Sequence, residues 1–121
     1  MKAVRMPLTA GHRFTLALLV LRELAQARKG ERRGVALLDL AAALRVDPLQ
    51  IEPIVEQLVG LDWVARLDEA GVQRLVLLCD PAATPAAPLL DLLLLQPSDA
   101  STAFRAQAGF ERLTLAEALA A

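Results

Sequence analysis

Apolar side chains recur at three- and four-residue spacing through Phe14, Leu18, Leu21 and Ala25, with Thr9 placed as a cap and Arg28 and Lys29 suited to the negative end. The spacing predicts a first helix over Ala10–Lys29. Gly30 and Gly34 bracket a polar loop, after which Leu37, Leu40, Ala41 and Leu44 mark a short second helix. Ala36 stands where its capping hydroxyl belongs. Asp47-Pro48-Leu49-Gln50 then combines a cap, a first-turn proline and a Gln in capping-box position, and it opens a third helix. The stripe of that helix is Ile51, Ile54, Val55 and Leu58, with Pro53 expected to bend it and Gly60 expected to cap its end.

The pattern changes after Gly60. Leu61 to Leu67 and Val72 to Leu78 suit strands and flank Asp68-Glu-Ala-Gly71, which predicts a hairpin with Gly71 in the tight turn. Pro81, Pro85 and Pro88 delay the next helix, which is expected to open at Thr84 or Pro85 and to run through Leu95, apolar on nearly every side. Ser98 to Phe110 shows weak periodicity, and Thr114 is placed to cap a last helix, Leu115 to Leu119. Long helix, short helix, tight turn, capped helix and hairpin is the order of a winged helix-turn-helix domain. The expected fold is thus mainly α with a small β-hairpin: a winged helix-turn-helix over residues 1–96, including a Leu-rich helix at about 85–96, with additional C-terminal helices. Residues 97–121 read as a tail with room for a short helix.

Composition narrows the functional classes. The chain has 121 residues, enough for one core, and Leu and Ala make up 49 of them while aromatics are 3%, which suits packed helices. The 13 basic residues against 14 acidic ones exclude a generically basic nucleic-acid binder. The longest strongly apolar run, Leu89 to Leu95, is interrupted by Asp91 and is far shorter than the ~20 residues that span a bilayer. Met1 to Ala10 lacks the order of a signal peptide, so a cytoplasmic location is expected. One cysteine and one histidine exclude an internal disulfide and a structural zinc site, and neither metal nor cofactor is expected.

Several stretches resemble a known family. Leu8-Thr9, Val35 to Leu44 (VALLDLAAAL), the Asp47-Pro48 cap, Leu58 to Val64 (LVGLDWV), Leu77 to Pro81 and Pro88 to Leu92 are similar to the C-terminal cytoplasmic domain of the YihY/BrkB family, membrane proteins long labelled ribonuclease BN. The resemblance covers roughly Pro7 to Gln96. It implies a soluble tail tethered to the inner membrane in a longer protein, with Lys2 to Arg5 following the last membrane helix. The family label further implies part of a tRNA-processing ribonuclease. Rrf2-type winged-helix regulators share several of these phrases and compete for the same residues.

The residues themselves argue against catalysis and against groove reading. A DNA-reading winged helix needs Lys, Arg, Asn or Gln on its third helix. Here that helix carries Asp47, Glu52 and Glu56 with no Lys or Arg, which leaves only Gln50 and Gln57 to read a base. Asp68 and Glu69 make the wing tip acidic too, with Arg66 and Arg74 placed to pair with them. No Ser-His-Asp set, phosphate loop or paired metal-ligand spacing is present. His12 reads as a plain histidine, Cys79 as an inert buried thiol, and Trp63 as a core plug. The single Cys also excludes an iron–sulfur cluster of the Rrf2 kind.

Charge and apolar surface remain. Residues 1–33 hold 8 basic and 2 acidic side chains, whereas residues 34–121 hold 5 and 12. Arg28, Lys29, Arg32 and Arg33 form a candidate contact for an anionic partner. Leu89, Leu90, Leu92, Leu93, Leu94 and Leu95 are the candidate self-association surface. The expected function is a non-catalytic winged-helix interaction module that forms a homodimer or docks a protein partner. The alternative is a transcriptional regulator that contacts DNA through the basic end of helix 1 and the wing.

Overall fold

The computed structural model describes residues 10–30 and 34–120. Helix α1 spans Ala10–Lys29, as its spacing predicts, and a two-residue strand, β1 (Val35–Ala36), precedes α2 (Leu37–Leu44). The pattern did not predict β1, because two residues are too few to show alternation. A close approach creates it: Gly34 sits at φ +90, where a Cβ would stand 2.5 Å from the Leu75 carbonyl oxygen.

Helix α2 starts at Ala36 without a side-chain cap, as expected, and closes through Arg45 at φ 58. The Val46 amide returns to the Ala41 carbonyl at 3.1 Å, which turns the chain into α3 (Pro48–Gly60). Asp47 caps α3 by accepting from the Leu49 amide at 2.9 Å, and the helix runs through Pro53. The expected Gly60 cap is not formed. Gly60 is the last helical residue, and the left-handed conformation falls instead on Asp62, at φ 61, with the Trp63 amide bonded back to the Leu58 carbonyl.

The wing comprises β2 (Val64–Glu69) and β3 (Val72–Leu77), paired from Val64↔Leu77 to Glu69↔Val72. Ala70 and Gly71, at φ 51 and 79, form the two-residue turn that matches the twist of a hairpin. β1 adds to the far side of β3, giving an antiparallel sheet in the order β1-β3-β2.

The core lies between α1, α3 and the sheet. Leu21 and Leu24 of α1, Ile51, Val55 and Leu58 of α3, and Val64 and Leu75 of the sheet are all nearly inaccessible. Trp63 is buried among them as the expected plug. Beyond the sheet, α4 is Ala87–Leu93, shorter at both ends than the expected 85–96. Two tertiary demands shorten it. Pro85 is bridged antiparallel to Thr114 ahead of the last helix, with Ala86 N–H donating to Leu113 O and Leu115 N–H to Thr84 O, while Pro97 lies just beyond Leu94 and Leu95.

A 3-10 turn (Asp99–Ser101), α5 (Thr102–Ala108) and α6 (Leu115–Leu119) complete the chain. Thr114 and Glu117 cap α6 reciprocally: Thr114 Oγ1 accepts from the Glu117 amide at 3.1 Å and Glu117 Oε1 accepts from the Thr114 amide at 2.9 Å. Leu115 and Leu119 enter the same core as α1. Among the described residues no helix is long and apolar enough to cross a membrane.

Candidate interaction surfaces

The face that a winged helix turns to DNA is made by α3 and the wing. Here it is tied shut by charge. Arg66 of β2 places Nη2 at 3.0 Å from Glu52 Oε1 and 2.8 Å from Glu56 Oε1. The sequence suggested that Arg66 would serve the acidic wing tip; the pairing differs because β2 runs alongside the last turns of α3, ten residues from Glu56 in sequence. Gln57 offers nothing to a groove, since its Oε1 is buried and without a hydrogen-bond partner among the described residues. Leu49, in the first turn of α3, is 78% exposed where a reader would place a polar side chain.

The leucine run divides by helical geometry. Leu89, Leu90 and Leu93 are buried, so these three candidate self-association residues belong to the monomer's own interior. Leu92 and Leu94 remain 47% and 37% exposed, and Leu95 is half-buried. Phe104 of α5 is 60% exposed and stacks edge-to-face on Phe110 at 5.9 Å.

What fixes α5 in that corner is Arg105, which the sequence reading passed over. Its side chain is 8% exposed, and it donates to the Leu95 carbonyl at 2.9 Å, to Asp91, and to Glu111 at 3.3 Å. Its guanidinium carbon also lies 5.0 Å from the centre of the Phe110 ring. A lone arginine in a weakly periodic stretch gives no signal for this; its partners lie 14 residues before it and 6 after it.

Of the basic cluster, Arg28 and Lys29 end α1, while Arg32 and Arg33 lie outside the described residues. Arg28 Nη1 donates to the Leu77 carbonyl at 3.1 Å, and Arg22, six residues earlier, donates from Nε to the Leu119 carbonyl at 3.0 Å. Both arginines and Lys29 line a cleft of about 460 Å³ between α1, α6 and the turn at Asp80.

The remaining reactive groups are dispersed. His12 is exposed on the first turn of α1. Cys79 is half-buried beyond β3, and burial pushes its thiol up, against the lowering effects of a hydrogen bond with Thr84 and the charge of Arg28. Among the described residues no three His, Cys, Asp or Glu side chains are grouped to hold a metal ion.

Comparison with known proteins assigns the family. The chain is 57% identical over 97% of its length to a UPF0761 membrane protein of Methylibium petroleiphilum, and 39% identical over 95% to one of Delftia acidovorans. The chain belongs to the UPF0761, or YihY/BrkB, family. It spans 28% and 30% of the length of those two relatives. No family model matches it.

Solved structures show the fold of this UPF0761 domain. CymR, the global cysteine regulator of B. subtilis, superposes with a TM-score of 0.66 at 20% identity, covering 88% of this chain and 92% of that one. IscR of T. potens follows at 0.61 and 20%, covering 92% and 83%. The UPF0761 chain therefore has a winged-helix fold, built on an α3 whose charged side chains are acidic.

Proposed function

We propose that this UPF0761 domain is a non-catalytic interaction module, the cytoplasmic tail of a longer membrane protein, and that it self-associates through the apolar corner formed by Leu92, Leu94 and Phe104. The observation that supports this reading is the pairing of Arg66 with Glu52 and Glu56. Arg66, between α3 and the wing, is held by two carboxylates, and with Asp47, Glu52 and Glu56 on or before α3 and no Lys or Arg within it, that helix presents net negative charge to any polyanion. Neutralising phosphates with Lys and Arg supplies much of the affinity of a protein for DNA, and Arg66 is already committed to the acids of α3.

The apolar corner supplies what the α3 face does not. Leu92 and Leu94 are interleaved with the buried leucines of α4, and the exposed Phe104 belongs to α5, which Arg105 ties to Asp91 and to the Leu95 carbonyl at the end of α4. Two exposed leucines and an exposed aromatic, on helices joined by the ion pairs of Arg105 with Asp91 and Glu111, supply the apolar and charged residue types of a protein contact.

Titration of labelled duplex DNA at low salt tests the reading against its main rival, a regulator of the kind the fold neighbours represent. The module reading expects no binding that weakens with salt. Tight association with a steep salt dependence overturns it.

A further inference from the structure

We infer that the cleft between α1 and α6 is an anion site that takes a phosphate group, presented by a phospholipid headgroup or by a free phosphomonoester. The inference is independent of how the domain self-associates. It rests on the way the cations of the cleft are held. Arg22 and Arg28 are both oriented by backbone carbonyls, those of Leu119 and Leu77, and not by carboxylates. A carbonyl fixes the direction of a guanidinium without neutralising its charge.

The hydrogen-bonding capacity of both groups is left largely open. Arg22 spends Nε and keeps its two terminal nitrogens; Arg28 spends Nη1 and keeps Nε and Nη2, a fork that fits two oxygens of one phosphate. Arg105 and Arg66, by contrast, are both paired with acids.

Charge in the cleft favours an anion after its own costs are counted. Arg22, Arg28 and Lys29 bring three positive charges and Asp80 one negative charge. Asp80 is also engaged locally, accepting from the Ala82 amide at 3.1 Å. The C-terminal ends of α1 and α6 each add up to roughly half a negative charge, which still leaves a positive surplus of about one. The floor is small and apolar, with Ala25 and Leu119, so the site has room for the carbon stem that follows a phosphate. The cleft volume of about 460 Å³ holds a headgroup-sized ligand.

The test follows the amide resonances of the 121-residue chain while glycerol 3-phosphate is added at low ionic strength, and in parallel measures co-sedimentation with vesicles of phosphatidylglycerol or of phosphatidylcholine. The expected result is a saturable shift at residues 22–29 and 116–120, or retention on phosphatidylglycerol vesicles alone. Lys29→Gln and Arg28→Gln should each weaken it by about tenfold. Arg13→Gln, which removes an exposed charge from the other end of α1, should leave it unchanged. Lys29 is exposed, so its substitution tests the site without disturbing the core. Saturation by glycerol 3-phosphate makes the phosphate itself the ligand; binding to the anionic vesicles only makes the lipid headgroup the source. Absence of both responses, or equal weakening by Arg13→Gln, overturns the inference.

Discussion

Arg66 Nη2 lies 2.8 Å from Glu56 Oε1, so the wing and the third helix are joined by an ion pair across the face that a DNA-reading winged helix leaves open. The pair is partly solvated, with Glu56 68% exposed at its side chain, and its contribution to stability is correspondingly small. Arg66→Ala should lower the unfolding free energy by only about 0.5–1 kcal/mol in a urea titration, and the loss should shrink as salt is added. It should also create no affinity for duplex DNA, because it uncovers two carboxylates. A variant that gained DNA binding would show that the face is blocked by geometry and not by charge.

Two glycines should respond in opposite directions. At Gly34 a Cβ would meet the Leu75 carbonyl oxygen at 2.5 Å in a left-handed backbone, whereas at Gly60, the last residue of α3, nothing lies within 4 Å. Gly34→Ala should destabilise by about 2 kcal/mol or more through strain and loss of the β1 pairing. Gly60→Ala should stabilise by about 0.5 kcal/mol through helix propensity. Denaturant midpoints for the two variants on either side of wild type confirm this; a shift in the same direction for both refutes it.

Arg105 anchors α5 to the end of α4. Removing it strands Asp91 and Glu111 and frees the Leu95 carbonyl, but those acids can turn to water. Arg105→Ala should therefore cost about 1–3 kcal/mol, and the loss should be local. Hydrogen exchange should quicken at residues 99–110 while the amides of α1 and α3 keep their protection. Uniform loss of protection across the chain would instead make α5 part of the global folding unit.

The thiol of Cys79 is raised above its ordinary value, chiefly by burial, with Thr84 and Arg28 opposing. It stays protonated at neutral pH, so alkylation should be slow there and should rise only at alkaline pH, later than in the unfolded chain. The folded state holds the thiol proton more tightly than the unfolded state. The resulting stabilisation is present below the thiol's ordinary range and is lost as pH climbs through the raised value. Arg28→Gln should move the alkylation profile to still higher pH; a profile unmoved by that change would deny the Arg28 contribution.

Much of this was written locally. The limits of α1, α2 and α6 follow from apolar spacing and from the residues at their ends, and the winged-helix order follows from the tight turns at Arg45 and Gly71. What escaped the sequence depends on chain segments meeting at a distance. β1 exists because Gly34 lets the backbone touch Leu75; the start of α4 is set by the bridge of Pro85 to Thr114; and Arg105 and Arg66 acquire their roles from partners outside their own elements. The candidate surfaces show the same division. A run of six leucines among seven residues was visible, but which of them face inward depends on where α4 stops. Arg28 was visible as a charge; its posture comes from the Leu77 carbonyl at the end of β3, and that of Arg22 from α6 packing on α1.

The central claim is that the exposed leucines make a self-association surface distinct from the core. Light scattering on the wild-type chain and on the double variant Leu92→Glu, Leu94→Glu tests it most directly, with circular dichroism to show that the fold persists. The account predicts a dimer for the wild type and a folded monomer for the double variant. A wild type that stays monomeric at high concentration, or a double variant that remains dimeric, contradicts it.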